Sequence, residues 1–405
     1  MNAADNAWVL TSSALVLLMT PGLAMFYGGM TRAKNVLSTM MHSFVLMGLA
    51  SIIWLFYGFS LAFGPDAVGG FIGNLKHFAL NGVGAEVWPD QTIPGSSFMI
   101  FQCMFAVITP ALISGAFAER MKFSAFILFM ILWMTFVYCP IAHWVWGPDG
   151  WLSKLGALDF AGGTVVHANA GFAALACAFV IGKRKGYPTT PMVPHNLTLT
   201  ILGASLLWFG WFGFNAGSAL KADANASMAF VVTHMATAAA ALSWMFAEWI
   251  IKGKPTTLGI ASGAVAGLVA ITPASGYVGP VSSVILGAVA GVVCYLAVLA
   301  KAGLGYDDSL DVVGVHGVGG AWGAIATGLF ASKAINAAGN DGLFFGNAAQ
   351  LGTQVVAVLA TIVYTFVISL IILYIVKAIV GLRVTEEEEE LGVDASAHGE
   401  TGYNL

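Results

Sequence analysis

Residues 349–376 read AQLGTQVVAVLATIVYTFVISLIILYIV and contain no charged side chain. A helix of about 20 apolar residues is long enough to cross the hydrocarbon core of a bilayer. Many other runs of that length in the chain also lack Lys, Arg, Asp and Glu. The sequence therefore predicts an all-α, polytopic membrane protein.

The composition supports this interpretation. Of the 405 residues, 58% are hydrophobic and only 9% are charged, and the mean hydropathy is +0.84. These values exclude a soluble enzyme, a nucleic-acid binder and a disordered scaffold. The net charge of −4 is too small to indicate a polyanionic partner. The four cysteines lie in apolar runs, which favours packing over disulfides or zinc.

Apolar runs between polar breaks predict eleven spans: 8–30, 36–63, 96–118, 124–146, 161–182, 197–219, 225–251, 257–272, 281–300, 314–332 and 349–378. No Lys or Arg precedes the first run, so we expect that the chain either has no signal peptide or has lost it. Loops on one side carry four basic residues, Lys76, Lys154, Lys221 and Lys333. The other side carries twelve: Arg32, Lys34, Arg120, Lys122, Lys183, Arg184, Lys185, Lys252, Lys254, Lys301, Lys377 and Arg383. The positive-inside rule makes this second side cytoplasmic, with the N-terminus outside and the C-terminus inside.

The predicted domain organisation is a transmembrane domain over residues 1–378 and a cytoplasmic tail over 379–405. Within the first, residues 8–182 and 197–332 each hold five spans, and 349–378 forms the eleventh. Because five is odd, two such halves would be inverted relative to each other, as in many transporters. The halves end in the similar patterns Asp159…His167 and Asp311…His316.

Two histidines lie among glycines inside predicted spans, in the sequences around His167 and His316. At four-residue spacing, His167 shares a helix face with Gly163 and Gly171, so the two helices could meet at their histidines. Intramembrane histidines are usually functional, although one bonded to a backbone carbonyl would be structural. Bis-histidine haem ligation is an alternative, but no basic anchor for propionates lies nearby. A metal site that adds His143 lacks an evident carboxylate or thiolate ligand.

The remaining intramembrane polar residues have plausible structural roles. Asp159 lies where a carboxylate could cap the fifth span, as an alternative to direct chemistry. Glu248 precedes Lys252 by one turn, which predicts an ion pair. Glu119 and Arg120 lie at the mouth of the third span. We expect the isolated His42 and His234 to be hydrogen-bonded core residues.

Long motifs make the chain resemble the ammonium transporter (Amt/Mep/Rh) family, of the bacterial Amt type, along nearly its whole length. They are ADNAW, TPGLAMFYGGMTRAKNVLS, ALDFAGGTVVHANAG, WFGFNAGSA, DVVGVHGVGG and VGLRVTEEEEELGVDASAHGETGYN. The resemblance implies a homotrimer in the cytoplasmic (inner) membrane, with a pore for nitrogen uptake in each protomer. It also implies a transporter rather than an enzyme, without a cofactor or a nucleic-acid partner.

The resemblance assigns roles only to residues that match a family motif. Trp146, Phe105 and Ser218 would recruit ammonium at the outer end, with Asp159 beneath them. The remaining assignments are a gate of Phe105 and Phe214, a pore pair of His167 and His316, and a pore vicinity that includes Phe101, Gln102, Phe26 and Tyr27. In WGPDGW the chain carries Asp149 and a second tryptophan, Trp151, which leaves the choice between Trp146 and Trp151 open.

Elementary chemistry fits these roles. Aromatic faces attract an ammonium ion and a hydroxyl accepts one of its N–H groups, as Trp146, Phe105 and Ser218 could do. The same aromatic residues are also ordinary core and interface residues. A bare cation crosses an apolar constriction only at high free energy, so a proton should leave near the gate and ammonia should pass. Whether two bonded imidazoles guide ammonia or relay the proton is open.

Three classes of function fit the sequence: an ammonium conductor, an ammonium sensor and a haem-bearing redox protein. A sensor is expected to carry an extra signalling domain, and a tail of about 26 residues is too short for one. The tail is polar and acidic, which is typical of a solvated, disordered end. The family resemblance instead implies that it packs on the cytoplasmic loops and helps to receive the PII signalling protein.

Overall fold

The computed structural model describes residues 1–403, and that part of the chain is helical without a β-strand. Its eleven long helices are α1 Ala3–Met30, α2 Ala33–Phe63, α3 Gly95–Phe117, α4 123–146, α5 Gly163–Ile181, α6 Leu197–Gly217, α7 Ala224–Lys252, α8 Thr257–Ile271, α9 Pro280–Leu304, α10 Val313–Phe330 and α11 Ala348–Val380. All but the 15-residue α8 have the length and hydropathy of a membrane span. These bounds match the predicted spans to within a few residues and confirm a multi-pass membrane fold.

Polar residues at the breaks between apolar runs start several of these helices. Asn2, Asn196, Asp223 and Thr256 each accept a hydrogen bond at the start of α1, α6, α7 and α8, from a backbone N–H two or three residues further on. Such caps replace hydrogen bonds that the first turn of a helix cannot make internally. The polar residues that separate the predicted spans therefore also cap the helices that follow them.

The bundle has two ends, which we name by what lies there. The tail face holds residues 381–403 and the loops that they contact. The vestibule face holds the N-terminus, where the Asn2 N–H donates to the Thr92 carbonyl, and the long connection between α2 and α3.

The tail is folded onto the tail face rather than solvated as its composition suggests. Residues 382–384 pair with residues 120–122 through two backbone hydrogen bonds, Lys122 N to Leu382 O and Val384 N to Arg120 O. A short helix, α12 Glu386–Leu391, follows with a capping box formed by Thr385 and Glu388. Residues 404 and 405 of the predicted tail lie outside the described residues.

Side-chain hydrogen bonds hold the tail at points as far along the chain as Tyr403. The Asp394 carboxylate accepts hydrogen bonds from the backbone N–H groups of Leu37 (2.9 Å) and Ser38 (2.7 Å) at the start of α2. Further along, the Tyr403 hydroxyl lies 3.0 Å from His195 Nε2. Because these contacts satisfy the first turn of a membrane helix, the tail is part of the folded structure.

Several buried charges on the tail face form ion pairs. Glu119 lies 2.6 Å from the Arg32 guanidinium and 3.5 Å from Arg184, which in turn lies 2.8 Å from Asp307. Burial disfavours the charged form of Glu119, but the hydrogen bond from Arg32 and the charges of both arginines outweigh it, so its pKa is lowered. The predicted mouth of the third span is thus an ion-paired cluster, as buried charges require.

Four further predictions have definite outcomes. Glu248 and Lys252 lie 3.8 Å apart, as expected, and the four cysteines are free and buried. The prediction for His234 was wrong, because its side chain is exposed on the outer surface of α7 beside Trp208. His42 is buried as expected against Phe126, but its Nδ1 has no hydrogen-bond partner among the described residues. Sequence reasoning missed that His234 lies off the stripe of small residues that α7 buries.

Helices α5 and α10 cross in backbone contact. A Cβ atom on Gly171 would collide with the backbone of Gly317, and one on Gly320 would collide with Ala168 and His167. Small residues allow this approach because packing and not hydrophobic exclusion holds membrane helices together. The crossing brings the two histidine-bearing segments side by side, as their glycine-rich flanks predicted.

We predict that Gly171→Ala destabilises the protein. A clash with backbone should cost about 1–3 kcal/mol, more than the gain of about 0.5–1 kcal/mol from replacing glycine in a helix. Gly352→Ala in α11 is the matched control, because a Cβ there meets open space. Thermal unfolding in detergent should show a lower midpoint for Gly171→Ala alone. Equal midpoints for both variants would contradict tight packing at the crossing.

Candidate functional site

A cavity of about 750 Å³ opens on the vestibule face. Its walls include three acidic side chains, Glu86, Asp90 and Asp149, one basic side chain, Lys76, and an aromatic floor. The predicted recruitment residues Trp146, Phe105 and Ser218 line it, together with Gln102, Phe160 and Trp88. The cavity can therefore admit a hydrated cation and present it to aromatic faces.

The aromatic rings at the cavity floor form a continuous stack towards the membrane interior. The Phe105 ring lies 5.8 Å from Trp146, edge to face, and 4.3 Å from Phe214. Phe105 and Phe214 are almost fully buried, and Phe101 contacts Phe105 at 5.0 Å. Phe105 lines the cavity and Phe214 lies directly against it, so the two rings lie where the gate was predicted.

Hydrogen bonds orient the two rim residues. The Ser218 hydroxyl donates to the Phe214 carbonyl at 2.8 Å, which leaves its oxygen lone pairs available to accept from a ligand. The Trp146 indole N–H donates to the Asp159 carbonyl at 2.8 Å. Trp151 does not line the cavity and packs against Phe71 and Trp144. Of the two tryptophans that the sequence left open, Trp146 is the one at the cavity.

Asp159 lies below the cavity as a helix cap. Its carboxylate accepts hydrogen bonds from the backbone N–H groups of Gly162 (2.8 Å), Gly163 (2.6 Å), Thr164 (2.8 Å) and Val165 (3.2 Å), and from the Thr164 hydroxyl. The side chain is 7% exposed. With both oxygens held by donors, the carboxylate serves the capping role that was the structural alternative for Asp159.

The two histidines meet in the membrane interior. His167 Nδ1 and His316 Nδ1 are 3.3 Å apart, and the rings are nearly parallel at 22°. Each lies in a π-helical turn, Gly163–Ala168 in α5 and Val313–Val318 in α10, rather than in the regular α-helix that the four-residue spacing assumed. π-Turns are rare and frequent at functional sites. His167 Nε2 has no hydrogen-bond partner among the described residues.

A narrow lumen of about 10 Å³ runs beside the pair. Apart from the histidines its lining is apolar: Met19, Leu23, Ile108, Leu112, Val166, Leu207, Trp211, Phe214 and Val265. This volume is close to the minimum for one water-sized molecule. A haem iron would have to lie between the two imidazoles, but their nitrogens contact each other directly, so the haem reading does not fit.

The metal hypothesis has no support either. The ring nitrogens of His143 contact the Ala62 carbonyl (2.9 Å) and the Asp66 carboxylate (3.4 Å) instead of the other histidines. Among residues 1–403 no group of three His, Cys, Asp or Glu side chains could hold a metal ion. Asp66 is the carboxylate partner of His143 that sequence inspection missed, and this pair does not include His167 or His316.

The remaining predicted residues lie around the lumen. Tyr27 donates its hydroxyl to the carbonyl of Leu112, a lumen residue, at 3.0 Å. Phe26 packs where Gly203 of α6 approaches its backbone. Neither Phe26 nor Tyr27 lines the cavity or the lumen.

Sequence reasoning missed two residues. Trp211 stacks on His167 at 5.3 Å, and its position three residues before Phe214 on α6 was a usable signal. Asp308 accepts the Val313 N–H at 2.7 Å, as Asp159 accepts the Thr164 N–H. It precedes His316 by the same eight residues that separate Asp159 from His167. Asp308, and not Asp311, is therefore the counterpart of Asp159, while Asp311 pairs with Lys301.

Asp308 differs from Asp159 in its surroundings. It lies on the tail face, is fully buried and has one oxygen without a hydrogen-bond partner among the described residues. Burial raises its pKa to about 6, although the nearby Lys301 ammonium opposes the shift.

Comparison with known proteins gives consistent results. The family model described as "Ammonium Transporter Family" matches residues 7–403. An ammonium transporter of Bacillus subtilis is 54% identical over 405 residues, which is 100% of this chain and 99% of that protein.

Solved structures are similar as well. Mep2 of Saccharomyces cerevisiae superposes with a TM-score of 0.90 at 39% identity, over 95% of this chain and 91% of that one. A structure described as "Sensor Amt Protein" also superposes with a TM-score of 0.90, at 32% identity, over 98% of both chains. The likeness thus extends over nearly the whole length of each partner.

Proposed function

The chain belongs to the ammonium transporter family, and we propose that it carries ammonium nitrogen through a pore formed by the cavity, the aromatic stack and the histidine pair. The observation that supports this proposal most directly is the order of three environments from the vestibule face inwards. A cation-attracting aromatic cavity leads past two stacked phenylalanines into an apolar lumen with two imidazoles. Such a path suits a small species that enters charged and crosses neutral.

We propose that the ammonium ion binds first at the aromatic rim. Trp146 and Phe105 offer ring faces, and the Ser218 oxygen accepts one N–H because its own proton is used by the Phe214 carbonyl. The Asp159 charge, held just below by four backbone N–H groups, favours a cation at this level. Water gains less at this rim, because aromatic faces attract cations more strongly.

We further propose that a proton leaves near the Phe105–Phe214 stack and that ammonia enters the lumen. An ion would lose its hydration there without replacement, since the lining is apolar. His167 and His316 share one hydrogen bond, so one Nδ1 donates and the other accepts. The pair can therefore hydrogen-bond ammonia or pass a proton, and either role keeps a bare cation out.

The inverted repeat, the orientation and the domain division follow as parts of the same proposal. Matching π-turns and matching Asp caps in α5 and α10 support two related halves, 8–182 and 197–332. The basic residues support a cytoplasmic tail face and location in the cytoplasmic membrane. Residues 379–405 would then be a cytoplasmic regulatory tail.

A homotrimer is supported by the outer surface of the bundle. The exposed His234 imidazole lies on α7 at membrane depth, where contact with lipid is unfavourable. An apolar groove of about 410 Å³ lies nearby, between α6, α7 and α8. A second copy of the chain would cover both features.

A sensor is the second candidate, favoured by the likeness to the structure described as a sensor. The two functions differ in one observable, because a conductor passes current or substrate while a sensor need only bind. Electrophysiology on the purified protein in a solid-supported membrane, with ammonium pulses compared with potassium pulses, separates them. Binding without any ammonium signal would favour the sensor.

The gate assignment predicts different effects for two neighbouring phenylalanines. Phe214→Ala removes a ring of the stack, so we expect altered ammonium current or weaker selectivity over potassium. Phe212→Ala is the control, because Phe212 stacks outward on Phe230 at 3.8 Å. Each loss of a packed ring destabilises by up to about 3–5 kcal/mol, so folding is checked first. Folded Phe214→Ala protein with unchanged current and selectivity would refute the gate.

The histidine pair yields a charge-specific prediction. His167→Asp or His316→Asp places a fixed negative charge in the lumen, so potassium should begin to pass. His167→Asn is the matched control, since it is polar without the charge and should still exclude potassium. The measurement is potassium-evoked current in the same membrane assay. Acidic variants that exclude potassium and leave ammonium flux unchanged would make the pair purely structural.

The tail predicts regulation by a PII-type protein that blocks the tail face. Three insertions into one trimer would add avidity to weak single contacts. Deleting residues 386–405 should abolish retention of that protein on membranes, and it keeps the pairing of residues 382–384 with 120–122. The measurement is co-sedimentation with ATP, ADP and 2-oxoglutarate in all combinations, with the full-length chain as control. A full-length chain that never retains the organism's PII proteins would exclude this role.

A further inference from the structure

The turn that follows α8 lies inside the bundle. Helix α8 has 15 residues, about five fewer than a bilayer crossing needs, and it ends at Ile271. We name residues 272–277 the α8 turn, and residues 272–276 of it are all buried. Irregular backbone at membrane depth is stable only where protein surrounds it. The α8 turn therefore packs inside the protein.

Helix α5 and the segment before it hold the α8 turn from one side. The Phe160 N–H donates to the Pro273 carbonyl at 3.1 Å, and the Phe160 ring, which lines the vestibule cavity, lies edge to face against Tyr277 at 5.6 Å. A Cβ atom on Gly163, the first residue of the π-turn that contains His167, would collide with the Pro273 ring. These contacts leave the turn little freedom to move relative to α5.

Thr272 connects this turn to Trp211 of α6. Its hydroxyl donates to the Leu268 carbonyl at 2.8 Å and accepts the Trp211 indole N–H at 2.9 Å. Both residues are buried, and Thr272 is the hydrogen-bond partner of that N–H among the described residues. An indole N–H can only donate, so without this hydroxyl it would be left buried and unpartnered.

Trp211 links Thr272 to the pore pair. The Trp211 ring lines the lumen and stacks on His167 at 5.3 Å, with 20° between the ring planes. The same ring contacts Phe214 at 5.3 Å. His167 in turn contacts His316 through its Nδ1. A rotation of the indole would therefore remove a wall from His167 and change the shape of a lumen with room for about one water-sized molecule.

We propose that Thr272 is a positioning residue for the pore pair and acts through Trp211. Thr272 lines neither the cavity nor the lumen, so its hydroxyl does not contact the transported species. Its hydrogen bond holds the indole against the His167 ring, and this support keeps His167 in contact with His316. The effect on transport rests on the proposed function, whereas the hydrogen bond does not.

Three variants test the hydroxyl in the ammonium-current assay. Thr272→Val keeps the shape of the side chain but removes the acceptor, so we expect the current to fall on the order of threefold to tenfold, the effect of one hydrogen bond. Thr272→Ser retains the hydroxyl and should restore most of the current. Thr327→Val is the matched control and should leave the current unchanged. The buried Thr327 hydroxyl also donates to a carbonyl of its own helix, that of Gly323 at 2.9 Å, but accepts no hydrogen bond from the described residues. Equal currents in Thr272→Val and Thr327→Val would overturn the positioning role.

A double-mutant cycle tests whether Thr272 acts through Trp211. Trp211→Phe keeps an aromatic ring but has no N–H, so Thr272→Val should have little further effect in the Trp211→Phe background. The cycle is measured by ammonium current and by the midpoint of thermal unfolding in detergent. Thr272→Val should lower the midpoint of the otherwise wild-type protein by a few degrees. Equal losses in both backgrounds would overturn the proposal.

The two measurements distinguish this inference from the proposed function. If no protein, the wild type included, gives an ammonium current, the proposed function fails, while the midpoint cycle still decides the hydrogen bond. If the midpoints are coupled but the current does not respond to Thr272→Val, the bond is purely structural and the positioning role is excluded.

Discussion

The backbone contact between α5 and α10 is the constraint on which the geometry of the candidate site depends. Gly171 meets Gly317 with no side chain between them, and this places His167 against His316. Larger residues would separate the helices, and the imidazoles would then face an apolar lumen without partners. The apolar lining, the aromatic stack and the rim are arranged around that crossing.

Irregular backbone near the crossing requires its own hydrogen-bond partners, since hydrocarbon supplies none. Asp159 and Asp308 provide them at the starts of the two π-helical segments, from opposite ends of the bundle. In the tail, the Asp394 carboxylate likewise accepts hydrogen bonds from backbone N–H groups at the start of α2. In each case a buried carboxylate accepts hydrogen bonds from backbone N–H groups at the start of a helix.

The sequence predicted most elements but mistook several local environments. Spacing placed the histidines on glycine-rich faces, yet it assumed α-helical geometry where π-turns occur. It assigned His234 to the core because hydropathy does not show which face of a helix is buried in one protomer. It overlooked Asp66 as the partner of His143 because the two residues are far apart in the chain and meet only when α2 and α4 pack.

By itself the sequence determined the membrane environment, the number of helices and the family. Long uncharged runs are stable in a bilayer as helices, because a helix satisfies its own backbone hydrogen bonds. The sequence also named the residues of the candidate site through their motifs. Only the tertiary structure decided that Trp146 and not Trp151 lines the cavity, that Asp308 is the counterpart of Asp159, and that the acidic tail folds onto the bundle. These outcomes depend on contacts between residues distant in sequence, which local periodicity and composition do not encode.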